Sequence, residues 1–247
     1  MRLFGLIGHP LSHSFSKSFF TEKFKKENIS DCRYENFDLE KIEHFKSLLE
    51  SHDDLCGLNV TIPYKTAIIP WLTQLDAVAA ETGAVNTVLF KNGITIGFNT
   101  DVIGFRETIK DYLPSNTPGA LVLGTGGSAK AICYVLQQSG ITYKMISRKE
   151  GSHVLSYSQL TKEIIESHEL IINCAPVGRH PDVDQAPPIP YDHLTDKHFL
   201  YDLNYNPAET LFLKEGLRHN AKVKNGMEML IKQAEASWQI WNYYSGK

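Results

Sequence analysis

Three short stretches carry residues that can do chemistry. In GLNVTIPYK (Gly57 to Lys65), Leu58, Val60 and Ile62 alternate with Asn59 and Thr61, Pro63 stops the ladder, and Lys65 follows at once. The alternation predicts a strand with one apolar face. Its end offers an amide, a hydroxyl and an amine. An ammonium can stabilise negative charge forming on an oxygen and then give up a proton to it. The plain alternative for Lys65 is a solvated surface lysine. In VLFKNGITIGF, Asn92-Gly93 sits between two alternating runs and predicts a hairpin. Lys91 then pairs with Ile94, and Asn86 lies opposite Asn99. Side chains alternate faces, so Asn86, Asn99 and Asp101 are expected together at the open end of the hairpin. Asp101 or Thr100 can equally cap a helix over Val102–Lys110.

The third stretch, ALVLGTGGSAKA, runs a buried strand into Gly124-x-Gly126-x-x-Ala129 and then a helix. Gly124 permits the tight turn, Gly126 lets backbone approach a pyrophosphate, and Ala129 allows close packing of helix on strand. Gly127 and Ser128 complete the turn, and the N-terminus of the helix that follows offers unpaired N–H groups and the positive end of its dipole. Bare glycine spacing is a weak signal. The strand–turn–helix context makes it specific for a dinucleotide. Ser147-Arg148-Lys149 ends the next strand, where an acidic residue would suit NAD. Two cations suit a 2′-phosphate, which favours NADP, although Glu150 follows closely.

The elements that must position these groups fall into two sets. Up to residue 101, strand-like runs (Leu3–Ile7, Tyr34–Asp38, Leu58–Ile62, Asn86–Lys91, Ile94–Phe98) alternate with helical runs (Lys17–Asn28, Lys41–Ser51, Thr66–Trp71, Asp76–Glu81). This order predicts a mainly parallel sheet. YLPSNTPG (Tyr112 to Gly119) is a linker by composition. Beyond it come strand Ala120–Leu123, helix Ala129–Gln138, strand Tyr143–Ile146 and buried strands at Leu170–Cys174 and Phe199–Leu203. A proline-rich loop, GRHPDVDQAPPIPYDH, lies between the last two. Met227–Tyr244 is helical by spacing, with Met227, Ile231, Ala234, Trp238 and Trp241 as a core stripe.

The 247 residues are ample for two domains, and 42% hydrophobic content supports a real core. A formal net charge of -3 without a basic block argues against nucleic acid or an anionic membrane as partner. Cys32, Cys56, Cys133 and Cys174 form no C-x-x-C pair and no metal spacing, so buried thiols in a reducing, cytoplasmic setting are expected. The ten histidines show no metal pattern; His9 and His13 flank the first loop. MRLFGLIGHPL is broken by glycine and proline and predicts a strand, not a signal peptide. No apolar run approaches the ~18 residues that span a bilayer.

The stretches IGHPLSHSFS, GLNVTIPYK, AVNTVLF, GFNTD, LGTGGSAKA, SRK, IINCAPVG, YDLNYNP and NGMEMLIKQA, in this order, resemble the shikimate dehydrogenase family over nearly the whole chain. The resemblance implies NADPH-dependent, reversible reduction of 3-dehydroshikimate to shikimate in aromatic amino-acid (chorismate) biosynthesis. It implies an α/β fold of two domains with a cleft between them. Residues 1–103 with 226–247 would form the substrate domain, and residues 104–225 a Rossmann-type NADP-binding domain. It implies a catalytic pair, Lys65 and Asp101. Ser14, Ser16 and Thr61 would hold the substrate carboxylate. Asn86, Asp101 and Gln233 would bind ring hydroxyls, and Tyr205 would lie on a loop closing near the substrate. Leu203 would flank the cofactor, with the Gly226 backbone at the nicotinamide. A small-molecule substrate, no metal, and a monomer or homodimer complete the expectation.

The chain departs from the family's pattern in places. The family's His-Ser-Lys-Ser-Pro is here His13-Ser14-Phe15-Ser16-Lys17, so proline is missing at the helix start; Ser14 and Ser16 can also cap that helix. Val102 stands where relatives often have glycine. Between Arg148 and Asn173 the family fits a helix and a strand. VLSYSQL can supply the strand, so the helix is expected to be absent or cut to a turn, and with it a basic residue that relatives often carry. Two other functions fit the residues: an NAD-dependent quinate/shikimate dehydrogenase, and a non-catalytic NADP-binding sensor.

Overall fold

The computed structural model describes residues 1–11, 15–110, 112 and 119–244. The chain divides into two compact units, Met1–Thr100 with Ala234–Lys247, and Asp101–Gln233. The sequence reading divided it at 103/104 and 225/226. The segment 101–103 and the first turns of the final helix thus cluster with the second unit.

In the first unit, strands β1 (Arg2–Gly8), β2 (Cys32–Asp38), β3 (Leu55–Val60), β4 (Gln74–Leu75), β5 (Thr87–Lys91) and β6 (Ile94–Phe98) form one sheet in the order β2-β1-β3-β5-β6-β4. β1 runs parallel to both β2 and β3, and β4 runs parallel to β6. β5 is antiparallel to β3 and β6, which makes the sheet mixed. Helices α1 (Phe15–Lys26), α2 (His44–Ser51) and α3 (Ala77–Thr82) follow the strands. The segment Thr66–Trp71, expected to be helical, forms turns and a short 3-10 helix at Ile69–Trp71. The hairpin forms as the spacing predicts: Asn92 and Gly93 both take positive φ, and Lys91 pairs with Ile94.

The alternation in GLNVTIPYK holds as far as Val60. Leu58 and Val60 enter a core with Leu3, Ile7, Phe45 and Ile68. Ile62 lies beyond the strand and is 45% exposed. The opposite face is not a solvent face either, because Asn59 is 5% exposed. That side is covered by a second core of Phe4, Phe20, Phe24 and Tyr34 with Ala234, Trp238 and Trp241. The last three belong to the final helix, which runs Met227–Tyr244 as expected. Ile231, assigned to the same stripe, is exposed instead. Gly57 explains how the helix comes so close. A Cβ there would overlap the Trp241 indole, whose Nε1–H donates to the Val88 carbonyl at 3.0 Å.

In the second unit, α4 (Asp101–Ile109) precedes β7 (Ala120–Leu123), α5 (Gly127–Gln138), β8 (Tyr143–Ser147), β9 (Val154–Ser156), α6 (Lys162–Glu166), β10 (Leu170–Asn173), β11 (Phe199–Asp202), α7 (Leu211–Arg218), β12 (Lys222–Asn225) and the start of α8 (Met227–Tyr244). The sheet is parallel throughout, in the order β12-β11-β10-β7-β8-β9. The order reverses between β7 and β10, the place where such sheets bind ligands at their carboxyl ends. From β8 to β9 the chain crosses in six residues, 148–153, with no helix. Parallel neighbours ordinarily need a dozen or more. Here the link folds back on itself: Gly151 and Val154 exchange backbone hydrogen bonds, and His153 takes φ 61.

Gly57→Ala is expected to destabilise the fold by about 1–3 kcal/mol, the usual cost of overpacking a closed core. Urea titration should show the lower midpoint, and an unchanged midpoint would mean that the helix can shift away from the strand.

Candidate active site

In the first unit, two hydrogen bonds fix the chain around Lys65. Thr61 N–H donates to the Ile7 carbonyl at 2.9 Å, and Val85 N–H donates to the Lys65 carbonyl at 2.7 Å. The second bond brings the backbone of the predicted amine next to that of Asn86. Lys65 is half-buried, while Asn86 is almost wholly buried. Asn86 Oδ1 accepts from the Thr100 backbone N–H at 2.7 Å and from the Thr100 hydroxyl at 3.1 Å. The expectation that Asn99 shares this cluster fails. Its amide donates instead to Thr82 Oγ1 at 3.1 Å and to the Ala84 carbonyl at 3.0 Å. The ladder stops at Thr87–Phe98, so strand alternation no longer governs where Asn86 and Asn99 point. Ser16 is buried on α1 and hydrogen-bonds the Tyr34 phenol. Ser14 and His13 lie outside the described residues. His9 Nδ1 lies 2.6 Å from Asp38 Oδ1, and Asp38 Oδ2 accepts the Leu11 N–H at 3.1 Å. The bond to His9 holds the exposed Asp38 carboxyl below its ordinary range.

In the second unit, Asp101 is the first residue of α4 and is 4% exposed. Its Oδ2 accepts a 3.4 Å hydrogen bond from Ser128 Oγ in the first turn of α5. The predicted catalytic carboxylate therefore meets the predicted phosphate loop within one unit. Gly124 takes φ +119, which only glycine adopts readily, and its N–H donates to the Ile146 carbonyl at 2.7 Å. Gly126 is the N-cap of α5, and a Cβ added there meets nothing within 4 Å. The backbone at Gly126 is thus open on that side, as close approach of a pyrophosphate requires. Ala129 is fully buried against the sheet. Ser147 ends β8, and Arg148 and Lys149 follow it, both exposed. Dinucleotide and 2′-phosphate both fit these residues.

Leu203 and Gly226 adjoin one another: a Cβ at Gly226 would overlap the Leu203 carbonyl oxygen. Leu203 N–H donates to Asn173 O at 2.9 Å and Gly226 N–H to Asn204 O at 3.1 Å. Tyr205 is half-buried, and burial pushes its phenol up, with Arg179 pulling the other way. Gln233 is buried, and its Nε2 donates to the Leu230 carbonyl at 2.9 Å.

The sequence reading missed a buried carboxylate, Asp202, at the end of β11. Its Oδ1 accepts from Asn173 Nδ2 at 3.0 Å, from Asn204 N–H at 3.0 Å and from Asn204 Nδ2 at 2.9 Å. Thr210 donates to Oδ2 at 2.6 Å. Together these bonds tie the loops after β10 and β11. Burial outweighs the four donors and pushes the carboxyl up to about 6. Its signal in the sequence was polarity inside an otherwise apolar run, FLYDLN. Among the described residues, no group of His, Cys, Asp or Glu is placed to hold a metal ion, and no helix is long and apolar enough to cross a membrane.

A sequence model described as the shikimate dehydrogenase substrate binding domain matches residues 6–88. A shikimate dehydrogenase (NADP(+)) of Methanosphaera stadtmanae is 35% identical, covering 96% of this chain and 90% of its own length. One from Caldanaerobacter subterraneus subsp. tengcongensis is 36% identical, over 97% and 91%. The crystal structure of the Thermus thermophilus shikimate 5-dehydrogenase, in complex with NADP(H) and shikimate, superposes with a TM-score of 0.86 at 29% identity, covering 98% of this chain and 94% of that one.

Two outcomes follow from this geometry. Arg148→Ala should raise the KM for NADPH roughly ten- to hundredfold, the scale of one lost charge-assisted bond, and leave the KM for NADH nearly unchanged. Steady-state kinetics with both cofactors measures this, and equal effects would remove the 2′-phosphate argument. For Asp202, the folded pKa of about 6 exceeds the ordinary 3.8, so its contribution to stability falls as pH rises from about 4 to about 6. Asp202→Asn should therefore gain on the wild type by up to about 3 kcal/mol across that window, read from unfolding titrations at several pH values.

Proposed function

Because the chain belongs to the shikimate dehydrogenase family, we propose that it catalyses the reversible, NADPH-dependent reduction of 3-dehydroshikimate to shikimate, in the cytoplasm, as a step of chorismate biosynthesis. Substrate contacts are assigned to residues 1–103 with 226–247, and cofactor contacts to residues 104–225. The observation that carries the reading is the pairing of the Lys65 carbonyl with Val85 N–H. It joins a lysine at a strand end to an asparagine amide oriented by Thr100, in a chain that also has a phosphate-binding glycine loop.

Gly124, Gly126, Gly127, Ser128 and Ala129 would hold NADPH, with Ser147, Arg148 and Lys149 at its 2′-phosphate and Leu203 and Gly226 at its nicotinamide, and the bound cofactor would supply the hydride that reduces the carbonyl carbon. Lys65 does the rest of the bond-making: its ammonium stabilises the oxygen as charge develops and then transfers a proton to it. Asp101 is assigned as the second member of the catalytic pair, holding the amine in place. In the reverse direction the same lysine, once deprotonated, takes the hydroxyl proton. Ser14, Ser16 and Thr61 hold the carboxylate, which sets the ring's orientation. Asn86, with its amide nitrogen as donor, Asp101 and Gln233 bind ring hydroxyls. Tyr205 closes over the substrate.

Lys65→Ala should lose about two to four orders of magnitude in kcat while shikimate binding is largely kept. The assay follows the absorbance of the reduced nicotinamide with 3-dehydroshikimate and each reduced cofactor, and the reverse reaction with shikimate and quinate. Unchanged turnover in the variant would sink the role of Lys65. A higher specificity constant for quinate with NAD would replace the assigned substrate and cofactor.

A further inference from the structure

A chain of hydrogen bonds runs through the interior of the first unit and ends on two residues of the proposed substrate site. Tyr34, on β2, stacks on Phe20 with ring centroids 4.6 Å apart. Its phenol meets Ser16 at one side and Asn59 Oδ1, at 2.8 Å, on the other. Asn59 Nδ2 lies 3.4 Å from the Asn86 carbonyl and 2.9 Å from Ser237 Oγ on α8. Ser237 Oγ is in turn 3.2 Å from Thr100 Oγ1, and Thr100 holds the amide of Asn86.

The direction of each bond can be deduced. A carbonyl oxygen accepts and never donates, so the Asn86 carbonyl settles which end of the Asn59 amide is nitrogen. Asn59 Oδ1 then faces Tyr34, and the phenol's one O–H is donated to it. What remains for Ser16 is a phenol lone pair, so Ser16 is the donor in that bond. Burial pushes the Tyr34 hydroxyl well above its ordinary range, so it stays a neutral donor. At the far end, the Thr100 backbone N–H can only donate, which turns Asn86 Oδ1 toward it and makes the nitrogen, which donates to Thr100 Oγ1 at 2.9 Å, the donor end of the amide.

We propose that Tyr34 and Ser237 are positioning residues for substrate binding, which orient Ser16 and Asn86 from behind without touching the substrate. The inference rests on the reading that Ser16 and Asn86 grip a polyhydroxy carboxylate. Ser237 lies far along the chain, on the last helix, yet its hydroxyl is the acceptor on which the Asn59 amide closes. Removing it takes the 2.9 Å acceptor from Asn59 Nδ2 and one neighbour each from the Thr87 and Thr100 hydroxyls, at 2.7 and 3.2 Å, and the orientation of Asn86 loosens with them.

Tyr34→Phe and Ser237→Ala each delete one hydroxyl and little volume. In each, the KM for shikimate is expected to rise about five- to tenfold while the KM for NADP+ stays within about twofold. The double variant should be little worse than the worse single one, because both cut the same chain. Melting curves check that each variant is folded, and if one fails to fold, the other decides by the same KM criteria. An unchanged shikimate KM, a parallel rise in the NADP+ KM, or multiplicative effects in the double variant would overturn the inference. A wild-type chain with no turnover of shikimate would instead remove the functional reading, and this inference with it.

Discussion

Gly57 has no side chain, and the indole of Trp241 stands where one would be. The arrangement of the first unit depends on that contact. The indole N–H is spent on the Val88 carbonyl, so the ring is tied to β5 while it lies on β3. One helical turn back from Trp241 is Ser237, and two residues along the strand from Gly57 is Asn59. Helix and strand periodicities thus bring Ser237 onto Asn59 once Trp241 is seated on Gly57. The last helix is therefore not an appendage. It supplies Ala234, Trp238 and Trp241 to the aromatic core and a hydroxyl to the polar chain behind the site.

That polar chain is not a large source of stability. Each buried amide or hydroxyl gives up water, and the bond it makes inside returns only about as much, net of ~1 kcal/mol. What a satisfied network gives is direction. Asn59 donates to Ser237 and accepts from Tyr34, and the amide cannot be flipped without setting its oxygen against the Asn86 carbonyl, acceptor facing acceptor. Asp202 illustrates the opposite balance. Four donors converge on it, yet burial still raises its pKa, so the carboxylate costs stability at neutral pH. Its bonds hold the loops on which Leu203, Asn204 and Tyr205 lie.

Much of this was legible in the sequence where local pattern and tertiary role agree. The strand Ala120–Leu123 and the helix Met227–Tyr244 have the bounds that their spacing predicts, and the Asn92-Gly93 hairpin has its predicted turn and register, one pair short at the open end. The glycine loop has the backbone its residue types demand, with positive φ at Gly124 and open space at Gly126. What local pattern could not show was what covers the polar face of β3. Asn59 alternates with buried residues, and its partner, Ser237, is 178 residues away in sequence. The apolar Ile62 continues the pattern after the strand has ended. Edge strand β12, Lys-Val-Lys-Asn, carries too little apolar content to be noticed, and it forms because β11 offers it a parallel ladder. Helix α7 escaped notice although Thr210 caps it by accepting from Leu213 N–H, because it is only eight residues long.

The shortened link between β8 and β9 was foreseen as a missing helix, but its geometry has a consequence for the cations beside it. Arg148 and Lys149 are the first two residues of a six-residue connection that must reverse direction and still begin a parallel strand with Val154 opposite Met145. The Gly151–Val154 bonds close the end of that connection. A long crossover would carry its basic groups on a helix packed against the sheet, whereas here the cations leave directly from the tip of β8. Their position is thus set by the ladder that ends at Ser147 and Ser156 and by a link with few conformations to lose. On the proposed assignment, 2′-phosphate recognition would be concentrated at one strand end, and the charge of Arg148, rather than a wider basic surface, would carry the discrimination between the two cofactors.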